Sequence, residues 1–411
     1  MFILEAVGPR DLISNSMAGA THGFSLLWPL LAVLIARFVF LDASARYVLV
    51  TGETFVAGCA RIGKWALWLI FGVILVGRHF ATLVRIVLLG TAAHALVPLP
   101  TPHSTAIWGF SSWVLGFVLM YWGRYRLVER FSKSLALLLG VSLGAAAILS
   151  KPDPGSLLKG LFTPVWPTEY GIYGPTLVVM AVIAAAVGSL SNLKYSAYVH
   201  EKGWRDLSFL RSQRVDLAVS VCSMLVMLAM IQVAAAGALH SRGIAVGNVE
   251  DLIPIFSQVL GGAGRIVLAV SLWAMVFTSY LGSGTGYGLM FAEIYHRHLR
   301  PTSAPGHEPG RGAAHLPAYR FLILYTFLSP LYSLFWDWSP IGLVLVQSAS
   351  GVVTLPLAIF LVLRLTADKK IMGVHANGWI TNIVLTLIVA GTLCLAYQGA
   401  IEFLTVAHGR P

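Results

Sequence analysis

Two polar stretches interrupt an otherwise apolar chain of 411 residues, GPRDLISN at Gly8–Asn15 and SLSNLK at Ser189–Lys194. Asp11 brings a carboxylate, Asn15 and Asn192 bring amides, and Ser189 and Ser191 bring hydroxyls. Their clustering at two interruptions is more than a proline kink or a small-residue packing face accounts for. The backbone adds donors of its own. Pro9 lacks an amide hydrogen, and Gly8 and Gly188 permit turns, so helical geometry can fail there and free the carbonyls near Gly8 and Ala186. Glu5, one turn before Gly8, is either a second carboxylate for such a site or a group at the membrane interface.

Basic residues complicate this chemistry. Arg10 and Lys194 sit within the two polar stretches, and the apolar run GRHFATLVRIV adds Arg78, His79 and Arg85. Ionisable groups inside a membrane are costly and mark a pathway or a buried pair. Arg78 and Arg85 are seven residues apart and so share a helix face, while His79 is a group able to titrate near neutral pH. These groups could pair with Asp11 or Asp42, relay charge, or serve a carrier of anions. Lys194 is read as a gate that neutralises Asp11, as a tie to an acidic partner, or as a snorkelling side chain. Arg37 and Asp42 are read as a buried ion pair or as contacts between repeats.

The elements that must position these residues are membrane helices. Apolar residues make up 57% of the chain and charged residues 11%, more hydrophobic surface than a soluble core can bury. At roughly 20 residues per crossing, the chain divides into eleven spans: Met1–Thr21, Phe24–Val50, Trp65–Ala95, Ala106–Trp122, Leu135–Leu149, Ile172–Val199, Leu217–Leu239, Ile266–Ile294, Phe321–Trp336, Ile341–Leu365 and Trp379–Leu404. Seventeen lysines and arginines then fall in the loops of one side, against Lys151, Lys159, Arg242 and Arg410 on the other. That asymmetry predicts a cytoplasmic N-terminus and an external C-terminus in a cell (inner or plasma) membrane. The basic balance, a net charge of +11, is thus one of topology and not of nucleic-acid binding.

Other features read as structural. Cys59, Cys222 and Cys394 have no CxxC spacing and are expected to be packing residues. His298, His307 and His315 flank or lie in Thr302–Pro317, whose proline and glycine fit a solvated loop better than a metal cluster. The stretch FTSYLGSGTGYG at Phe277–Gly288 favours close helix packing over an ion site. It lies in an apolar span without a strand-turn-helix setting, and the chain carries no Ser/His/Asp or HExxH pattern, so no enzyme and no cofactor is expected.

The interrupted spans are the first and the sixth, the first helices of two successive five-helix units. Paired breaks are the sign of an inverted repeat with a midplane substrate site. At this level the chain resembles the Nramp metal-ion transporters. The likeness is carried by AGATHGFSLLW and SARYVLVTGE in the first two spans, GRYRLVERFSKSLALLLGVSLGAAAILSKPD around the fourth and fifth, YVHEKGWR after the sixth, and LPLAIFLVLRLTADKKIMG at the end of the tenth.

The resemblance implies an all-α polytopic protein of leucine-transporter-like architecture. Residues 1–150 would form the first five-helix repeat, 151–370 the second, inverted one, and 371–411 an additional C-terminal helix. It implies a carrier of a divalent metal cation, of the Mn, Fe or Mg type, working by alternating access in a lipid bilayer. The alternative on the same architecture is a carrier of an organic or anionic solute. It also implies a metal site built from an Asp-Pro-Gly-Asn motif and a Met-Pro-His motif. Carried over, that Asp falls on Gly8, the Gly on Arg10, the Asn on Asp11, the Met on Ser189, the Pro on Leu190 and the His on Ser191. A Gly-Pro-Gly-Asp bacterial subgroup is the nearer likeness, with Arg10 departing even from that. Asp11 and Ser189 are thereby expected as metal ligands, with Gly8, Asn15, Ala186, Ser191, Asn192 and Gln347 completing the site. The family's acidic proton route falls on the stretch holding Arg78, His79 and Arg85. Seven residues precede Gly8, about 10 Å of helix, so the first half-helix is expected to be stunted or to start upstream. A monomer is compatible with all of this.

Overall fold

The computed structural model describes residues 8–122, 126–167, 172–187, 190–295, 298, 317–335 and 339–407; the side chains of 126–136, 190–191, 201 and 402–407 fall outside that description. Glu5, Gly188, Ser189, His307 and His315 are therefore outside it, as is the side chain of Ser191.

Among the described residues every regular element is helical. The chain passes through α1 (Pro9–His22), α2 (Trp28–Thr51), α3 (Lys64–Leu96), α4 (Ser104–Tyr121) and α5 (Arg126–Leu149). It continues through α6 (Pro175–Val187), α7 (Lys194–Glu201), α8 (Leu210–Ala238), α9 (Gly264–Ile294), α10 (Pro317–Leu328), α11 (Pro340–Thr366) and α12 (Trp379–Ala407). Short helical turns fill several of the connections.

Burial is arranged for a bilayer. The exterior carries large apolar side chains such as Leu137, Ile148, Phe335, Leu387 and Tyr397, and the interior holds Asp11, Asn15, Arg37, Arg78, Gln232 and Lys194. Seven helical stretches are long and apolar enough to cross a membrane, and Leu137–Leu149 and Pro175–Val187 are shorter apolar helices. Each of the eleven expected spans contains a helix. α1 and α10, of 14 and 12 residues, are too short to cross alone by the usual measure. α12 packs against α11 at the periphery and is mostly exposed. Cys59 is buried as expected, but Cys222 and Cys394 are exposed, on outward faces of α8 and α12.

The start of the first helix is set by local chemistry. Gly8 is extended, with φ −110° and ψ 177°, and Pro9 occupies the first helical position, where its missing amide hydrogen costs nothing. Everything from Pro9 through Asn15 is therefore inside α1. α1 is buried along nearly its whole length and packs on α6 and α8. Gly19 permits that approach, because a Cβ there would overlap the carbonyl of Gln232 in α8 and sit 2.9 Å from the Cβ of Ala235. The sixth span divides into α6, a 3₁₀ turn at Leu190–Leu193, and α7.

Candidate functional site

The start of α1 opens onto a cavity of about 100 Å³ walled by five helices. α1 gives Gly8 to Asp11; α3 gives Arg78 and Arg85; α7 gives Lys194; α9 gives Ser279, Ser283 and Tyr287; and α11 gives Gln347, Ser350 and Thr354. Of the expected site residues, Gly8, Arg10, Asp11, Arg78, Arg85, Lys194 and Gln347 are brought together here.

Asp11 is the acid among the described lining residues, and it is 5% exposed. One carboxylate oxygen is already engaged, since Oδ2 accepts a 2.6 Å hydrogen bond from the Gly8 amide. This is the third-position acid of a helix reaching back to the cap residue, a contact that also sets negative charge against the positive end of the helix. Oδ1 lies 3.7 Å from Nε of Arg10.

The carbonyls at the end of α6 are also engaged. Arg10 Nη2 donates to the Ala184 carbonyl at 3.0 Å, and Arg37 Nη1 donates to the Ala186 carbonyl at 2.9 Å. Both guanidiniums thus sit at the negative end of a broken helix, where cations are favoured. The expectation that the Ala186 carbonyl is open to a bound ion is corrected by this contact. Of the two readings of Arg37 and Asp42, a pair with each other or contacts between distant parts of the chain, the structure shows contacts of the second kind: Arg37 holds the Ala186 carbonyl, and Asp42 pairs with Arg214 of α8, Nε to Oδ1 at 2.9 Å.

The remaining expected residues are placed as follows. Asn15 Nδ2 donates to the Asp11 carbonyl at 2.8 Å within α1 and Asn192 Nδ2 donates to the Val187 carbonyl at the end of α6; neither lines the cavity. Lys194 is 4% exposed and lines the cavity, so it does not snorkel. His79 points away from the cavity, with Nε2 3.0 Å from the Tyr332 hydroxyl and its ring stacked on that tyrosine. Arg78 and Arg85 share the cavity face, as their spacing predicted.

Sequence reasoning missed Ser279, Ser283 and Tyr287. Arg85 donates to Ser279 Oγ from Nε at 3.3 Å and from Nη2 at 3.1 Å, and to Ser283 Oγ from Nη2 at 3.2 Å; Lys194 Nζ donates to the same Ser283 oxygen at 3.4 Å. Arg78 and Lys194 both lie over the Tyr287 ring, 5.4 and 5.5 Å from its centroid. The available signal was a hydroxyl-rich stripe at intervals of four within FTSYLGSGTGYG. The glycines of that stretch pack as expected, Gly284 beside Met120 and Gly288 beside Tyr319, while this stripe faces the cavity. Among the described residues no group of three His, Cys, Asp or Glu side chains is placed to hold a metal ion.

Comparison with known proteins agrees with this architecture. A manganese transporter of Eremococcus coleocola (H236A mutant) superposes with a TM-score of 0.68 at 16% identity, covering 100% of this chain and 87% of that one. In sequence, the divalent metal cation transporter MntH of Chromohalobacter salexigens is 25% identical over 69% of this chain and 67% of its own length. The protein of the same name from Ralstonia nicotianae is 24% identical over 93% and 85%. Against other curated relatives, including the human natural resistance-associated macrophage protein 1, the match spans 37–41% of their length. Residues 2–402 match the family model described as natural resistance-associated macrophage protein-like, and the chain belongs to that family.

Proposed function

We propose that this multi-pass membrane protein moves a divalent metal cation, of the Mn, Fe or Mg type, inward by alternating access, with the cavity at the start of α1 as its substrate site. The chain is a transporter and not an enzyme. The observation that carries the reading is Asp11, a nearly buried carboxylate facing a polar cavity in the first turn of α1. Irregular backbone inside a bilayer is tolerated where it lines such a cavity. In this reading Asp11 is the principal charged ligand, and Gln347 and the backbone near Gly8 add oxygen donors. Ser189 and Ser191 complete the shell, with Asn15 and Asn192 bonded to backbone carbonyls close by.

Residues 1–150 and 151–370 act as two opposed five-helix bundles that rock about this point, with 371–411 appended. The N-terminus is cytoplasmic and the C-terminus external, in a cell membrane. The two relatives named as divalent metal cation transporters favour this substrate over an organic solute.

Uptake of Mn²⁺, Mg²⁺ and Fe²⁺ into proteoliposomes, with and without a pH gradient, tests the proposal. At least one metal should enter above the empty-liposome background. Transport of a carboxylate solute with no metal uptake would overturn it.

A further inference from the structure

The charge around the cavity does not match a cation alone. Arg10, Arg78, Arg85 and Lys194 line it, against Asp11 as the acid among the described lining residues. A bound divalent ion would add to that positive excess, in surroundings where charges are poorly screened.

Three of these cationic groups, Arg78, Arg85 and Lys194, meet one wall of the cavity. Ser279, Ser283 and Tyr287 follow one another at intervals of four along α9 and form a single stripe. Arg85 from α3 and Lys194 from α7 converge on one hydroxyl of that stripe, Ser283, at 3.2 and 3.4 Å. Arg85 additionally turns the Nε and Nη2 edge of its fork to Ser279. A guanidinium and an ammonium beside two hydroxyls, whose oxygens accept from those cations and whose own O–H groups are left to donate, are a donor set that holds an oxyanion through charge-assisted hydrogen bonds. A cavity of about 100 Å³ admits an anion of a few heavy atoms.

We propose that this wall is an anion site, and that a small oxyanion, either a short carboxylate or an inorganic ion such as bicarbonate or phosphate, binds between Arg85 and Lys194 beside the transported cation. It rests on the reading of this cavity as the substrate site. The anion compensates the charge of the metal and of the surrounding basic groups, so cation and anion occupy the cavity as a pair.

The full chain in lipid nanodiscs is titrated calorimetrically with acetate, bicarbonate and phosphate in metal-free buffer, the three arms separating the two sources of oxyanion. One of them should bind saturably with a stoichiometry near one. Arg85→Gln should weaken it at least tenfold, and Arg85→Lys, which keeps the charge and loses the fork, severalfold. The double variant Ser279→Ala/Ser283→Ala retains every charge and should weaken binding severalfold in protein of unchanged melting temperature, which keeps the test valid if Arg85→Gln fails to fold. Absence of saturable binding by all three anions, or binding indifferent to these changes, overturns the anion site. Uptake of Mn²⁺, Mg²⁺ and Fe²⁺ by the same purified protein reconstituted into proteoliposomes in chloride medium is read separately. Uptake without oxyanion binding removes the anion site and leaves the metal carrier, whereas oxyanion binding without uptake of any metal does the reverse.

Discussion

Arg10, at the start of the first helix, donates a 3.0 Å hydrogen bond to the carbonyl of Ala184, 174 residues away at the end of α6. The start of α1 and the divided sixth span are thus joined by a cation placed on a carbonyl in the last turn of α6. With Arg37 on the Ala186 carbonyl, the first part of the chain caps the C-terminal end of α6 twice. A substrate cation approaching those oxygens meets a guanidinium already bonded to each.

Replacing that guanidinium therefore has a signed consequence. Arg10→Gly restores the residue type that the resemblance places here, removes one positive charge from the cavity and releases the Ala184 oxygen. The KM for Mn²⁺ uptake should fall roughly tenfold, equivalent to about 1.4 kcal/mol. The melting temperature should fall too, because this part-buried hydrogen bond has a charged donor, and such bonds contribute about 1.5–3 kcal/mol. An unchanged or higher KM would show that Arg10 does not compete with the metal.

Asp11 combines two roles that different substitutions separate. As a ligand it needs its charge, and as a partner of the Gly8 amide it needs only an acceptor oxygen. Asp11→Asn should abolish metal uptake with little loss of stability. Asp11→Ala should abolish uptake and also cost about 1 kcal/mol, the usual loss when a helix-start acceptor is removed. Uptake retained in Asp11→Asn would deny the carboxylate its place as charged ligand.

Much of this fold is legible in the sequence, for reasons that also mark where legibility stops. The spans expected at Trp65–Ala95, Ile266–Ile294 and Ile341–Leu365 agree within two residues with α3, α9 and α11, since long apolar runs bounded by polar groups leave a helix little freedom at its ends. The start of α1 at Gly8 and Pro9 is equally legible, because proline and glycine act on the backbone locally. The use of Asp11, Arg10 and Arg37 is not legible, since it depends on contacts between segments about 150 or more residues apart, or on which oxygen a helix start claims first. Arg78 and His79 show the same limit. Adjacent residues diverge by about 100° around a helix, and the neighbouring helices decide that Arg78 meets the cavity while His79 meets Tyr332.

The contact between α1 and α8 offers a test of packing apart from chemistry. Gly19 has no room for a Cβ against the backbone of Gln232, and backbone cannot swing aside as a side-chain tip can. Gly19→Ala should destabilise by about 1–3 kcal/mol, the usual cost of overpacking. Gly72→Ala is the matched control, because a Cβ at Gly72 of α3 meets nothing within 4 Å. It should be neutral or slightly stabilising through helix propensity, about 0.5–1 kcal/mol. Thermal unfolding of the two purified variants should separate them clearly, and equal melting temperatures would deny the close approach of α1 and α8.

Ser189 tests which donors meet the metal. By the resemblance it stands where the family has a methionine, and its hydroxyl is a hard donor where a thioether would be soft. Soft sulfur favours later transition metals over Mg²⁺ and Mn²⁺, so Ser189→Met should raise the ratio of Cd²⁺ to Mn²⁺ uptake. A single added metal–sulfur contact that contributes about 1 kcal/mol corresponds to roughly a fivefold change in that ratio. Ser189→Leu supplies a side chain of similar size and no sulfur, and should leave the ratio unaltered while lowering uptake of both metals. The comparison isolates the donor atom from the volume it brings. If Leu and Met shifted the ratio equally, the effect would be one of cavity shape, and Ser189 would not belong to the ligand shell.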